Sequence, residues 1–122
     1  MLIKLTLLAL FTCINIALAK YDAWKIANHK WIYHGINAVI YLLLLIYPYI
    51  LTKDWFFMIA LLSLRRIVFD TALNLFRGLR FDYISATTTS IIDRLSYKFQ
   101  AKYGYVPYYG MFFILIVLSL FI

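Results

Sequence analysis

Four polar residues recur along an otherwise apolar stretch, and their types and spacing make them the strongest candidates for chemistry. They are Arg66, Asp70, Asn74 and Arg77. On an α-helix this spacing places them in one narrow stripe, and Arg66 can pair directly with Asp70 four residues on. Charged groups at membrane depth are costly and normally face a protein interior or water. The stripe indicates either a polar functional site or, as the favoured interpretation, a structural role. That role is an ion-paired seam that fixes helix packing, or a helix tilted so that Arg65 and Arg66 approach the cytoplasmic interface.

A second polar stripe lies on the preceding apolar run, at Lys30, His34, Asn37 and Tyr41. If the two stripes face each other, His34 and Asn37 lie near Asp70. Interhelical hydrogen bonds between such side chains contribute about 1 kcal/mol each. His34 could titrate near neutral pH, but a lone histidine more often packs or sits at an interface.

The sequence carries no recognisable enzyme motif. His29 and His34 project roughly 140° from each other on a helix, so they cannot chelate a metal from one face. The glycines are scattered, and no glycine-rich loop precedes a lysine as in phosphate-binding motifs. We predict no catalytic residue, no cofactor and no metal site. A membrane enzyme acting on lipid headgroups through Asp70, His34 and Arg66 is kept as a second alternative.

The composition indicates that lipid is the solvent for most side chains. Of the 122 residues, 66% are apolar and 14% are charged, whereas a soluble domain is nearer half apolar and a quarter charged. A soluble fold of this length has too much surface for its volume to hide that much hydrocarbon. We therefore predict one integral membrane domain covering residues 1–122.

Four apolar runs are long enough, or nearly so, to cross a hydrocarbon core of about 30 Å as helices. They cover residues 2–19, 34–51, 55–79 and 106–122. Between the last two runs, 91–103 has apolar residues on one side and basic residues elsewhere. That pattern is typical of an amphipathic helix on a membrane surface, although a helix packed on the end of a bundle would look the same. The predicted fold is all-α, a bundle of four (or three) transmembrane helices plus a cytoplasmic amphipathic helix.

The basic residues are concentrated in two of the predicted connections. The loop after the first crossing carries three of them and the loop after the third carries five, whereas only Lys4 and Lys53 lie on the other side. The positive-inside rule then places both basic loops in the cytoplasm and both termini outside. A net charge of +7 that is spread between apolar runs is not a nucleic-acid-binding module, so we predict no nucleic-acid partner.

The N-terminus has the features of a secretory signal as well as those of a first helix. Lys4 supplies a positive region, 5–16 is apolar, and Ala17-Leu18-Ala19 matches a cleavage site. Cleavage would leave the basic loops outside the cytoplasm, against the charge bias. An uncleaved helix is therefore favoured, and cleavage stays open.

The run Phe69-Asp70-x-x-x-Asn74-x-x-Arg77-Gly78, followed by Tyr83, Thr88-Thr89-Ser90 and Asp93, resembles a pattern in small polytopic membrane proteins of bacteria and their phages. That group has no established activity. The resemblance implies a bacterial or phage setting, with the bacterial inner membrane as location, and no mechanism. Gly78 suits the left-handed end of a helix.

The function expected from these features is that of a non-enzymatic membrane component. It would pack with copies of itself or with a membrane partner inside the lipid bilayer. The alternative is an oligomeric pore, holin-like or small transport protein, in which the Arg66 and His34 stripes line water.

Overall fold

The computed structural model describes residues 1–30, 34–84 and 91–122. In these ranges the chain is helical and has no strand, which confirms the all-α prediction for them. The helices are α1 (Leu2–Ala27), α2 (His34–Leu44), α3 (Ile46–Thr52), α4 (Trp55–Leu64), a π-helical turn called the π segment (Arg65–Phe69), α5 (Asp70–Phe76), α6 (Ile91–Tyr103) and α7 (Tyr105–Phe121). The elements α4, π segment and α5 follow one another without a break.

By length and composition, one helix of the described chain could cross a membrane by itself. This helix is α1, and only 22% of its apolar window is buried, unlike the mostly buried core helix of a soluble protein. The pair α6 and α7 passes the same test if it counts as one span, but it is bent by 120°. This criterion therefore gives one or two spans, and the four predicted crossings stay a prediction.

The second apolar run is broken at a position that Pro48 dictates. Proline has no N–H to donate to the carbonyl four residues earlier, and its ring clashes with that carbonyl. The carbonyl belongs to Leu44, where α2 ends. The run resumes as α3, which ends at Thr52 and is followed by Lys53 with a left-handed φ of 49°. Asp54 then caps α4 by accepting a hydrogen bond from the Phe57 N–H at 3.2 Å.

The end of α5 is a Schellman motif built on Gly78. Gly78 has a φ of +71°, the left-handed conformation that glycine adopts without strain. Its N–H donates to the Leu75 carbonyl at 3.1 Å, and the Leu79 N–H donates to the Asn74 carbonyl at 2.8 Å. The chain reverses here, as expected for Gly78, so the third run ends at residue 76 rather than 79.

One core holds α1, α2 and α4 together, with α7 packed along α4. At its centre the Tyr41 hydroxyl donates to the Leu61 carbonyl at 2.8 Å and accepts a hydrogen bond from Asn15 Nδ2 at 3.3 Å. Phe11 meets the Tyr41 ring edge-on. A polar contact between three helices is thereby enclosed by apolar side chains.

At one end of the molecule, Lys4 joins the start of α1 to two distant segments. Its ammonium lies 2.7 Å from the Asp54 carboxylate and donates to the Ser119 carbonyl at 2.8 Å. The beginning of α1, the turn before α4 and the last turns of α7 therefore meet. Beyond the predicted limit at residue 19, α1 continues to Ala27, because Ala19 and Asp22 are still buried against other helices.

Candidate functional site: a polar cavity

A cavity of about 260 Å³ lies between α1, α2, the π segment, α5 and α6. Its walls hold three Asp and three Arg side chains among apolar ones. The lining residues are Asp22, Ile26, Asn37, Arg65, Arg66, Phe69, Asp70, Leu73, Asn74, Arg77, Tyr83, Ile84 and Asp93. All four residues of the first predicted stripe reach it, and so does Asn37 from the second stripe.

Arg66 is the centre of the polar network on the cavity wall. Its guanidinium forms ion pairs with Asp70 at 2.9 Å and with Asp93 at 2.7 Å. Nε donates to the Tyr108 hydroxyl at 2.6 Å, and Nη2 donates to Ser96 Oγ at 2.8 Å. A guanidinium has five N–H donors, so these contacts occupy most of them. One side chain thus ties the π segment to α5, α6 and α7.

Tyr108 and Ser96 close this network on the far side of Arg66. The Tyr108 hydroxyl donates to Ser96 Oγ at 3.1 Å while it accepts from Arg66. Both residues are buried, and the Phe99 ring packs 6.1 Å from that of Tyr108. Each hydroxyl is therefore satisfied within the protein, as a buried polar group requires.

Asn74 uses its amide to hold the chain that follows α5. Its Nδ2 donates to the Phe81 carbonyl at 3.0 Å and to the Tyr83 carbonyl at 2.9 Å. The Tyr109 hydroxyl donates to the same Phe81 carbonyl at 3.2 Å. The third position of the stripe is thus a positioning residue for the cavity wall.

Arg65 is a cavity residue that the stripe did not include. Its guanidinium lies 4.8 Å from the centre of the Tyr41 ring and 4.2 Å from that of Phe69. Such cation–π contacts stabilise a cation where water is scarce. The π segment begins at this residue, and an extra residue in a helical turn shifts side-chain directions, a change that regular helical spacing does not reveal.

The second stripe is divided between the cavity and the core. Asn37 Nδ2 lies 3.5 Å from the Asp22 carboxylate, a long contact at the cavity edge. Tyr41 instead points into the core. The His34 side chain lies outside the described part of the structure, so its predicted place beside Asp70 stays a prediction.

Arg77, the last residue of the first stripe, directly follows the C-terminal end of α5. Its side chain lines the cavity and is exposed, and it forms no ion pair with any residue of the described ranges. Within those ranges, no three His, Cys or carboxylate side chains are grouped as metal ligands. The cavity therefore has equal numbers of Asp and Arg side chains in its lining. Arg66 forms ion pairs within the chain, whereas Arg65 and Arg77 form none with the described residues.

Asp22, Asp93, Ser96 and Tyr108 are site residues that the sequence interpretation did not assign. Asp22 lay beyond the predicted end of the first helix. Tyr108 is one of several Tyr and Trp residues near predicted helix ends, and the sequence does not distinguish it from the others. Comparison with protein-family models, curated proteins and solved structures gives no match to this chain. The resemblance to bacterial and phage membrane proteins therefore stays an expectation from the sequence.

Proposed function

We propose that this chain is a small multi-pass membrane protein with a non-enzymatic role, packing with itself or with a membrane partner. The observation that carries the proposal is the engagement of Arg66. Its four partners, Asp70, Asp93, Ser96 and Tyr108, all belong to the same chain. A charged group so fully paired is equipped to hold helices together rather than to bind a reacting substrate.

The exterior of the helices supports the membrane setting. Large apolar side chains are exposed on every long helix, among them Leu10 and Ile16 on α1, Leu43 on α2, Ile59 on α4 and Phe113 on α7. Patches of this extent are rare on soluble monomers and mark surfaces that another apolar phase covers. Lipid, or a second membrane protein, meets that requirement.

The contacts at the two ends of the molecule support four crossings. Lys4, Asp54 and the Ser119 carbonyl meet at one end. Asp22 near the end of α1 and Asn37 near the start of α2 meet at the cavity. This is the arrangement expected if the chain crosses the membrane four times in alternating directions, through α1, α2–α3, α4–α5 and α7 in turn. The uninterrupted helix over 55–76 is about 33 Å long, sufficient for a hydrocarbon core of about 30 Å.

The packing of α1 supports an uncleaved first helix. Leu7 and Phe11 belong to the core, and Asn15 donates to the Tyr41 hydroxyl. Removal of residues 1–19 would open that core and release Asp54 from Lys4. With α1 retained, the positive-inside rule puts the cavity end in the cytoplasm and both termini outside. The bacterial inner membrane as location rests on the resemblance alone.

The pore alternative has less support, because the Arg66 stripe lines a partly open cavity formed within one chain, where Arg66 and Asp70 already pair with each other. The enzyme alternative requires Arg66 and Asp70 to meet a substrate, yet each is already the other's ion-pair partner. Both alternatives remain outcomes of the test that follows.

The test compares Asp70→Asn with Asp82→Asn in purified protein and in pull-downs from membranes. Asp82 pairs with the exposed Arg80 and is not among the residues that line the cavity, which makes it the matched control. The proposal predicts that Asp70→Asn weakens self-association or loses a partner while neither variant changes ion flux or lipid turnover. Ion flux through liposomes that Arg66→Ala abolishes would establish the pore, and phospholipid turnover that Asp70→Asn abolishes would establish the enzyme.

A further inference from the structure

The helix α6 packs on the protein through its polar side. Asp93 pairs with Arg66, Ser96 is 8% exposed and contacts both Arg66 and Tyr108, and Gln100 Nε2 is buried. These three residues lie at i, i+3 and i+7 and share one face. Phe99 packs beside this face against Tyr108, and the face opposite to it is exposed.

The face opposite carries an ordered stripe, apolar in its first half and basic in its second. Ile91 is 68% exposed and Leu95 is 62% exposed. Lys98 and Lys102 follow on the same face and are exposed as well. Because Asp93 is turned inward to Arg66, no acidic residue of α6 belongs to this stripe.

The angle at Gly104 fixes how this stripe lies relative to α7. The backbone of Gly104 has a φ of +83°, and α6 and α7 are bent by 120°. With α7 along the bilayer normal, α6 is inclined roughly 30° to the membrane plane and rises toward Gly104. At 1.5 Å per residue, position 91 then lies about 8 Å deeper than position 102.

We propose that α6 is an oblique interfacial helix, which dips its Ile91 end into the hydrocarbon and holds Lys98 and Lys102 against anionic lipid phosphates. The inference rests on the proposed membrane crossing of α7. Depth and chemistry agree along the stripe, since Ile91 and Leu95 are its deeper residues and Lys98 and Lys102 lie at headgroup level. Arg94 is exposed beside the stripe, and its side chain is long enough to reach headgroup level as well. Lysine side chains reach upward to headgroups, and basic residues there attract anionic lipids.

Lipid is favoured over a soluble partner because the stripe continues an apolar exterior. The α7 residues Phe113 and Ile114 are exposed beyond the bend, at a depth close to that of Ile91 given the rise of about 1.5 Å per residue. Lipid that covers them is therefore present at the level of the deep end of α6. A soluble partner docked on the Lys98 half would leave Ile91 in water.

Depth measurements on the full-length chain in lipid nanodiscs test the geometry. The native thiol is removed by Cys13→Ser, and a nitroxide is attached at Ile91→Cys, Lys102→Cys or, as a reference on α7, Ile114→Cys. We expect the label at 91 to lie about 8 Å deeper than the label at 102. Equal depths at 91 and 102 with a deep reference at 114 overturn the inference alone, whereas a label at 114 exposed to water overturns the proposed crossing.

Lipid selectivity tests the chemistry. A bimane label at Leu95→Cys is quenched by brominated anionic or brominated zwitterionic phospholipid, and the ratio of the two gives the local preference. We expect the anionic lipid to be preferred, and Lys98→Gln with Lys102→Gln to reduce the preference roughly thirtyfold, about fivefold for each lysine. The double control Lys20→Gln with Lys30→Gln, outside α6, keeps it. The assignment is contradicted if the preference for anionic lipid is the same in the α6 double variant and in the control double variant. It is also contradicted if a soluble protein displaces the lipid from this face.

Discussion

The guanidinium of Arg66 lies 2.7 Å from the carboxylate of Asp93, and this ion pair joins the π segment to α6. The two side chains are only 16% and 30% exposed. Arg66 therefore determines where α6 docks, and Asp93 determines which face of α6 docks there. The sequence predicted a polar seam along one helix. In the structure its central residue, Arg66, joins four elements: the π segment, α5, α6 and α7.

Replacing Arg66 by glutamine leaves Asp70 and Asp93 facing each other without their cation. Removing one partner of a largely buried ion pair costs on the order of 3 kcal/mol, because the two carboxylates lose the cation that lies nearest to both. We expect a loss of that size in the free energy of unfolding in mixed detergent micelles, followed by tryptophan fluorescence. The control Arg77→Gln, at an exposed side chain, should stay within about 0.5 kcal/mol. Equal losses in the two variants would refute the central role of Arg66.

Replacing Tyr108 by phenylalanine removes a hydroxyl that accepts from Arg66 and donates to Ser96. A hydrogen bond to a charged group contributes about 1.5 kcal/mol or more, so we expect a loss of that order in the same unfolding assay. Tyr105→Phe serves as the control, since Tyr105 is 41% exposed and contributes ring contacts that phenylalanine retains. A Tyr108→Phe variant as stable as Tyr105→Phe contradicts the network.

Asn15 and Tyr41 should respond in opposite ways to loss of their polar atoms. Asn15 Oδ1 is buried and has no hydrogen-bond partner in the described part of the chain, so Asn15→Leu removes an unsatisfied group and is expected to be neutral or stabilising. Tyr41→Phe removes the hydrogen bonds that the hydroxyl makes with the Leu61 carbonyl and Asn15 Nδ2, while each keeps a backbone partner. We expect it to cost about 1 kcal/mol. Thermal unfolding of the two variants in detergent distinguishes them, and a large loss from Asn15→Leu contradicts this assignment.

The Lys4–Asp54 contact predicts an acid-sensitive step at the end of the molecule where the termini meet. The hydrogen bond from Lys4 lowers the pKa of the Asp54 carboxyl below its ordinary value of 3.8, against the opposing effect of partial burial. A lowered folded-state pKa means that the contact stabilises the fold above pH 3.8 and that this stability is lost as the pH falls through the lowered value. The melting temperature of the native chain should fall more steeply below pH 4 than that of Asp54→Asn. Parallel curves would show that the contact does not form in solution.

The helical class and one side of the cavity could be predicted from the sequence because both depend on local periodicity. Arg66, Asp70, Asn74 and Arg77 repeat at helical spacing, and all of them reach the cavity. Spacing within one helix says nothing about partners on others, so Asp93, Ser96 and Tyr108 could not be assigned to Arg66. Asp22 was missed because hydropathy falls at residue 20, whereas packing extends α1 to Ala27.

The central claim is that the chain crosses the membrane four times, with Lys53 on one side and the cavity end on the other. Single cysteines in a Cys13→Ser background, at Lys53, Asn28 and Lys102, can be tested with a membrane-impermeant thiol reagent on intact cells. The account predicts labelling at 53 before permeabilisation and at 28 and 102 only after it. Labelling of all three sites from the same side, or a purified chain that stays monodisperse in buffer without detergent, would contradict it.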